Sequence, residues 1–277
     1  MNFLRFENFP EDFYLKQYNI YMDYLLVIII GWLGGVIVNY ISDVLPVKRQ
    51  LTKPICVYCY ETQTLKNYLF WPRYCPSCQK RRPWRVWITE VVFVFLSIWI
   101  WSSPPDRLGY VVGFVLFVFF GIVTVIDLEH RLILLPVSIV GSILALGVGI
   151  ALHGWQSTLI GGVVGYAIML LFYYFGEVFS RWMARLRGEH LSEVALGFGD
   201  VNLSGILGLL LGWPGVIGGL FLAIFLGGAF SLLYIVILLM FGRYRSFLAI
   251  PYGPFLVASA FLLLFLRSEV ISIIPLQ

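Results

Sequence analysis

The chain has 277 residues, of which 60% are hydrophobic and only 12% are Asp, Glu, Lys or Arg. A soluble domain carries about 25% charged residues, so this composition excludes a surface that mostly faces water. The formal net charge of +4 is small, and we expect no nucleic-acid partner.

The apolar residues occur in continuous runs, which predicts membrane helices and not the alternating pattern of a membrane barrel. We therefore expect an all-α polytopic membrane protein surrounded by the lipid bilayer. A helix needs about 20 apolar residues to span the hydrocarbon core. Eight runs are candidate spans, and seven spans are the alternative because the sixth run is short. The runs are Tyr24–Ile41, Val86–Trp101, Gly109–Ile126, Leu135–Leu152, Thr158–Phe179, Val201–Gly212, Gly215–Phe241 and Tyr252–Leu266.

The N-terminal segment, residues 1–23, is acidic and lacks the basic start and small-residue cleavage site of a signal peptide. We expect it to be extracytoplasmic and the first apolar run to remain as a membrane span. Basic residues indicate the orientation, because cytoplasmic loops are rich in Lys and Arg. Eight spans place 15 of the 19 Lys and Arg on one side, in the loops 42–85, 127–134, 180–200 and 242–251. These loops are predicted in the cytosol, and both termini outside.

All four cysteines lie in the first of these loops. They form two C-x2-C pairs separated by fifteen residues, Cys56 with Cys59 and Cys75 with Cys78. Each pair can present two thiolates to one ion, and this spacing is typical of a structural zinc site. Two disulfides or four free thiols are the alternatives, and a cytosolic position argues against disulfides.

A basic run follows the second cysteine pair. Its members are Lys80, Arg81, Arg82 and Arg85. Basic residues next to a membrane span ordinarily interact with lipid headgroups, and we prefer this interpretation to a role in a functional site.

Two aspartates are the main candidates for chemistry, because ionisable side chains at membrane depth are costly and usually functional. Asp127 ends the third apolar run and Asp200 opens the sixth, so the predicted topology places both towards the cytosolic face. Two carboxylates held close in a low-dielectric site do not both ionise readily. One can then act as an acid while the other takes a proton from water. Such a pair can hydrolyse an amide without a metal.

Glycines 197 and 199 precede Asp200, and their missing side chains would let the backbone approach a substrate strand closely. Asp200 then starts a helix, where its carboxylate meets the positive end of the helix dipole. Simpler interpretations exist. Asp200 could be an ordinary helix cap, Asp127 could be interfacial, and both could serve a proton or ion pathway.

Four features in this order resemble the type IV prepilin peptidase family, which comprises bifunctional leader peptidases and N-methyltransferases of bacterial inner membranes. DLEHRLILLP at 127–136 is similar to the first aspartate motif of the family, and GFGDV at 197–201 to its Gly-x-Gly-Asp motif. IPYGPF at 250–255 is similar to a late Pro-Phe-Gly-Pro-Phe segment. The paired C-x2-C motifs match the cytoplasmic zinc module of the family. The resemblance covers most of residues 31–260.

The resemblance implies that Asp127 and Asp200 activate water and cut the bond after a glycine in the leader of a prepilin or pseudopilin. Gly197, Gly199 and Glu129 are the implied substrate-positioning residues. The corresponding domains are the N-terminal segment, a first transmembrane hairpin and a six-helix aspartic peptidase domain. Their limits are residues 1–23, 24–101 with the cysteine module at 42–85, and 102–277.

The family also methylates the new N-terminal residue with S-adenosylmethionine, a function linked to the region around the cysteine module. Asn39 and Glu90 match family positions in that region. Two departures occur: Asn202 replaces a lysine of the second motif, and Val44 replaces the arginine of an Arg-Leu-Pro segment. These departures make methyl transfer less secure than proteolysis.

Two other functions fit the same residues. The carboxylates could bind protons or cations in a transporter, although transporter sites usually lie at the bilayer midplane. The chain could also be a degenerate family member that acts as a scaffold in pilus or secretion assembly. Retention of both aspartates and all four cysteines argues against the scaffold.

Overall fold

The computed structural model describes residues 11–70, 72–105, 107–187, 197–241 and 251–266, with side chains except for 11–21 and 183–187. The described residues form helices and irregular segments, and they contain isolated bridges but no strand. The helices are α1 Glu11–Lys48, α2 Leu65–Leu69, α3 Trp84–Ser102, α4 Gly109–His130, α5 Leu135–Arg187, α6 Phe198–Leu211, α7 Gly215–Met240 and α8 Gly253–Phe265.

The predicted all-α polytopic membrane fold is confirmed. Five helical segments are long and apolar enough to cross a membrane, namely Met22–Lys48, Trp84–Ser102, Gly109–His130, Leu135–Trp182 and Gly215–Met240. Helices α6 and α8 are shorter and also apolar. All eight predicted runs coincide with these helices, and the choice between eight and seven spans stays a prediction.

Helix α1 extends beyond the predicted first span at both ends. Residues 11–23 contain neither Gly nor Pro, so nothing there interrupts a helix that the following apolar run supports. Pro46 lies near the C-terminal end of α1. The extracytoplasmic position of residues 1–23 stays a prediction, and residues 1–10 lie outside the described ranges.

Helix α5 contains two predicted spans that are joined without a loop. It breaks at Gly154, whose φ of 79° and ψ of 165° lie outside the helical region and suit glycine. A Cβ added at Gly149 would lie 2.9 Å from Cγ2 of Thr158. Nine residues of straight helix would separate these positions by about 13 Å, so the chain turns back at the break.

Helix α6 packs on α5 through small residues. The backbones of Gly161 and Gly208 approach so closely that a side chain at either position would clash. The hydroxyl of Ser204 donates to the carbonyl of Gly165 at 2.6 Å. Close approach through small residues is typical of helix pairs in membranes, and it fixes the helix that begins near Asp200.

The described residues divide into two compact units. The first unit comprises Met1–Val44 with Leu51–Val118, and the second comprises Leu45–Gln50 with Phe119–Gln277. All four cysteines fall in the first unit and both aspartates in the second. The domain limits expected from the sequence stay a prediction.

Candidate active site and metal centre

Asp127 lies in the last turn of α4, where its side chain is turned into the protein and only 5% exposed. The backbone of Gly253, at the start of α8, lies against its carboxylate. A Cβ at residue 253 would fall 2.5 Å from Oδ2 of Asp127. Oδ2 is buried and has no hydrogen-bond partner within the described ranges. The backbone at Gly253 covers this oxygen and is the main-chain group nearest to it.

Asp200 lies in the first turn of α6 and is 8% exposed. Its Oδ2 accepts a hydrogen bond from the amide of Gly197 at 3.2 Å, and its own amide donates to the Gly197 carbonyl at 3.0 Å. These bonds cap the helix N-terminus, where a carboxylate is also favoured by the helix dipole. Gly197 is thus the N-cap residue, and Asp200 contributes to capping from the third position of the helix. The second carboxylate oxygen is left for other partners.

The two carboxylates meet in one site of the second unit and interact electrostatically. Gly199 contributes to this arrangement, because a Cβ there would lie 2.9 Å from Cβ of Ile133. The second motif thus packs directly on the first. The expected approach of a substrate strand at Gly197 and Gly199 stays a prediction, whereas the contact with Ile133 is a packing reason for glycine at position 199.

The residues after Asp127 face outward. Glu129 and Leu128 are exposed, so a substrate-positioning role for Glu129 stays a prediction. Arg131 is also exposed, with a φ of 53°, and its amide donates to the carbonyl of Asp127 at 2.9 Å. Its guanidinium interacts electrostatically with Asp127 but forms no ion pair with it.

Tyr252 and Gly253 form a third side of the site. No local residue pattern predicted it. Gly253 packs on Asp127, and Tyr252 interacts electrostatically with Asp200. The similarity of 250–255 to a family segment was the signal, but it gave no physical role. Residue 250 lies outside the described ranges.

Asn202 replaces the family lysine at some distance from the dyad face. At about 100° per residue, two residues along α6 turn a side chain to the opposite side of the helix. Asn202 lines a groove of about 540 Å³ between α5 and α6, together with Ser138 and Tyr166. Asn202 therefore faces this groove and not the side of α6 that carries Asp200.

The cysteine pairs form two similar knuckles in the first unit. In the first, the amide of Tyr60 donates to the carbonyl of Cys56 at 2.9 Å. In the second, the amide of Gln79 donates to the carbonyl of Cys75 at 2.9 Å. Tyr60 and Gln79 both have positive φ, 59° and 54°. The repeated C-x2-C spacing thus corresponds to a repeated local structure.

The four thiols converge on one point. Their Sγ atoms all lie within 4.8 Å of one another, with 3.7 Å between Cys56 and Cys78 and 3.6 Å between Cys59 and Cys75. A tetrahedral zinc ion with Zn–S bonds of about 2.3 Å places its sulfurs about 3.8 Å apart. All four thiols are free and not disulfide-bonded. The predicted set of ligands can therefore hold a zinc ion.

Asp43, at the end of α1, is enclosed by three side chains. Arg82 contacts Oδ2 at 2.6 Å, Arg85 pairs with Oδ1, and the hydroxyl of Tyr68 donates to Oδ2 at 2.8 Å. Burial, with the adjacent carboxylate, raises the pKa of Tyr68, so its hydroxyl stays protonated and donates. The predicted headgroup role is wrong for Arg82 and Arg85, which are 7% and 17% exposed. Lys80 and Arg81 of the same run are exposed.

Glu90 is ion-paired as well. Arg73 contacts both of its carboxylate oxygens, at 2.9 and 3.1 Å, and both side chains are buried. The indole of Trp32 donates to Glu90 at 3.2 Å. Asn39 donates to the carbonyl of Val86 at 3.1 Å. Asn39 and Glu90 thus connect α1, α3 and the cysteine module.

The fold and the site define a class, a polytopic helical membrane protein with two buried aspartates contributed by different helices. Residues 114–232, which include both aspartates, match the model of the type IV leader peptidase family. The match confirms the recognition made from the motifs and supports a type IV leader peptidase role, that of an aspartic-type protease. No curated protein and no solved structure matches the chain.

Proposed function

We propose that the chain is a membrane aspartic endopeptidase that removes the leader peptide of type IV prepilins or pseudopilins. Asp127 and Asp200 are its catalytic pair. The observation that carries the proposal is their meeting in one buried site, inside the segment that matches the leader peptidase family.

The chemistry needs one protonated and one ionised carboxyl group. The ionised aspartate takes a proton from water while the water oxygen bonds to the scissile carbonyl carbon. The other aspartate gives its proton to the carbonyl oxygen. Return of that oxygen's proton to an aspartate and protonation of the leaving nitrogen then break the C–N bond, which regenerates the pair.

The surroundings of the pair favour this state. Within the described ranges, neither carboxylate forms an ion pair with Lys or Arg, so no fixed cation holds both in the ionised form. Asp127 and Asp200 lie in the terminal turns of α4 and α6. This end position differs from the midplane position expected of a transport site.

The cytosolic face and a bacterial inner membrane belong to the same proposal. The orientation is supported by the 15 of 19 Lys and Arg in the four loops on one predicted side, and the inner membrane depends on the family resemblance. Alkaline phosphatase fused after Arg187 should be inactive, and fused after Gln277 it should be active. The reverse pattern would contradict this orientation.

The test of the peptidase is cleavage of a prepilin in membranes or detergent, followed as leader removal on a gel. Asp127→Asn and Asp200→Asn should each lower the rate by about 10⁴-fold. Glu177→Gln is the matched control, because Glu177 is a carboxylate paired with exposed Arg181 outside the site. Normal processing by either aspartate variant would disprove the catalytic pair.

Methyl transfer with S-adenosylmethionine is a second part of the proposal and depends on the family resemblance. The Glu90 carboxylate and the Asn39 amide nitrogen are held by protein groups, which supports positioning roles for them, while Oδ1 of Asn39 is buried without a partner in the described ranges. Adding labelled S-adenosylmethionine to the cleavage assay reads this activity separately. Cleaved product without label would limit the chain to proteolysis.

A further inference from the structure

We propose that the groove between α5 and α6 binds an apolar segment of the substrate that adjoins the scissile bond. This inference rests on the proposed leader peptidase function and adds a substrate-binding surface to its site. Because the dyad lies in the terminal turns of α4 and α6, a bond cleaved there leaves one flank of the substrate at membrane depth.

The groove follows from the way α6 packs. A Cβ at Gly141, before the break of α5, would lie 3.5 Å from Cδ1 of Ile206. A Cβ at Gly162, after the break, would lie 2.5 Å from Cδ2 of Leu209. Glycines thus bring α6 close to both halves of α5. The two halves form the walls of the groove, and α6 forms its floor.

The groove gives access to a helix that is otherwise enclosed. Between Val201 and Leu211, all of which the structure describes, only Asn202 and Leu209 are half-buried, and the others are buried. Both half-buried residues line the groove, which has a volume of about 540 Å³. Ligand sites in proteins commonly enclose about 300–1,000 Å³, so the groove is large enough to bind several side chains.

The groove begins at the dyad end of the helices. Leu135, at one end of its lining, belongs to the same motif as Asp127, and Asn202 lies two residues after Asp200. From there the lining continues along α6 to Leu209, about 10 Å further into the membrane. A substrate bound at the dyad therefore has the mouth of the groove within reach.

The groove and Asp200 lie on different sides of α6, so a substrate reaches both by crossing the N-terminal end of this helix. Gly197 and Phe198 are exposed there, and Gly197 has no side chain to obstruct a strand. A helix is about 10 Å wide with its side chains, and an extended strand rises about 3.3 Å per residue. About three extended residues therefore separate the scissile bond from the segment in the groove.

The chemistry of the lining identifies the occupant. Ile139 and Val163, on the two walls, are 52% and 70% exposed, and the lining contains no Asp, Glu, Lys or Arg. Such a surface accepts an apolar segment and rejects a charged one. At the mouth, the amide of Asn202 offers both a donor and an acceptor, which match the N–H and C=O of a substrate residue that is not helical. A lipid acyl chain fits the walls but leaves this amide without a partner.

The first test fills the groove. Ala167 lines it and is exposed, so Ala167→Trp adds an indole without displacing a buried side chain. It should raise KM for a full-length prepilin about tenfold and leave kcat unchanged, because binding is lost while the dyad is intact. Ala229→Trp, at an exposed position of α7 outside the groove, is the matched control and should change neither constant. An unchanged KM in Ala167→Trp, or a loss confined to kcat, would overturn the proposal.

The second test reads contact directly and leaves the groove open. The photocrosslinker p-benzoylphenylalanine replaces Val163 in the Asp127→Asn chain, which should hold the prepilin uncut. Illumination should link residue 163 to the prepilin, at positions about three or more residues from the scissile bond. The same probe in place of Phe221, which is 74% exposed on α7, should not link to it.

Crosslinks from residue 163 that form only with lipid, or only with a second copy of the chain, would assign the groove to that occupant and overturn the proposal. A wild-type chain that cleaves no prepilin would instead overturn the peptidase proposal. The crosslink is read without cleavage, so the two failures are distinguishable.

Discussion

Both compact units bury carboxylates, but only the first neutralises them. In the first unit, Asp43 is paired with Arg82 and Arg85, and Glu90 is paired with Arg73. In the second unit, Asp127 and Asp200 are as deeply buried and interact with each other electrostatically, without an ion pair in the described ranges.

The difference separates two uses of the same chemical group. A buried charge needs a partner to offset desolvation, and a paired carboxylate is then fixed in the ionised form. A pair of carboxylates without such a partner remains able to gain and lose a proton. The first unit thus uses carboxylates to hold structure, and the second keeps them available for proton transfer.

The largest effect should come from the metal site, which carries Arg73 and Arg82 beside its cysteines. Mass spectrometry of the purified chain should find one zinc per molecule. Structural zinc contributes about 10–16 kcal/mol in small zinc domains, so Cys75→Ser should unfold the module. Limited proteolysis should then cut within residues 51–83.

The matched control for the metal is Ser77→Ala, a change in the same knuckle that removes no thiol. It should keep the zinc content and the proteolysis pattern of the wild type. A purified chain that is folded and free of metal would show that zinc does not stabilise the first unit.

The comparison between the two units is tested directly by changing one buried aspartate to asparagine in each unit. Asp43→Asn leaves two buried arginines without their counter-charge and should destabilise the protein by about 3–5 kcal/mol. Asp200→Asn removes a buried charge from a crowded pair and keeps an oxygen for the Gly197 amide. It should raise stability by about 0.5–2 kcal/mol while cleavage is lost. Thermal unfolding in detergent measures both.

Opposite signs of the two stability changes would support the distinction between the units. If Asp200→Asn destabilised the protein as much as Asp43→Asn, the dyad would be a structural pair and the comparison would fail.

A smaller effect is expected at Gly253. Alanine there would place its Cβ 2.5 Å from Oδ2 of Asp127, so the carboxylate must move away. Displacement of a catalytic group by about 1 Å can cost about 10²-fold in rate. Gly228→Ala is the control, since a Cβ at that position meets nothing within 4 Å. Equal cleavage by both variants would show that the contact at Gly253 does not set the geometry of the dyad.

The features that the sequence predicted are those that depend on local residue patterns. Apolar runs identify helices because a membrane span must be apolar along its whole length. The spacing of Cys56, Cys59, Cys75 and Cys78 identifies a metal centre because two knuckles fix the positions of four thiols. Asp127 and Asp200 stood out because carboxylates at the ends of apolar runs are rare.

The ion pairs of the first unit were not predictable in the same way. Asp43 and Arg82 are 39 residues apart, and a basic run beside a membrane span looks the same whether it faces headgroups or a buried acid. Tertiary packing alone decided that Arg82 and Arg85 turn inward while Arg81 stays exposed.

The contact of Gly253 with Asp127 is likewise a tertiary feature. The sequence resemblance marked residues 250–255 as a unit, but nothing local indicates that a backbone there touches a carboxylate 126 residues earlier. The break of α5 is a mixed case. Composition predicted one span on each side of Gly154, and the structure shows that the two join without a loop.

The break at Gly154 bears on whether the number of membrane crossings in this segment is even or odd. As one straight helix, Leu135–Trp182 would measure about 72 Å, more than twice the hydrocarbon core of about 30 Å. Because the chain reverses at Gly154, two crossings within this segment would return it to the leaflet from which it entered. Asp127 precedes the reversal and Asp200 follows it. An odd number of crossings between them would have separated the two carboxylates by the thickness of the bilayer.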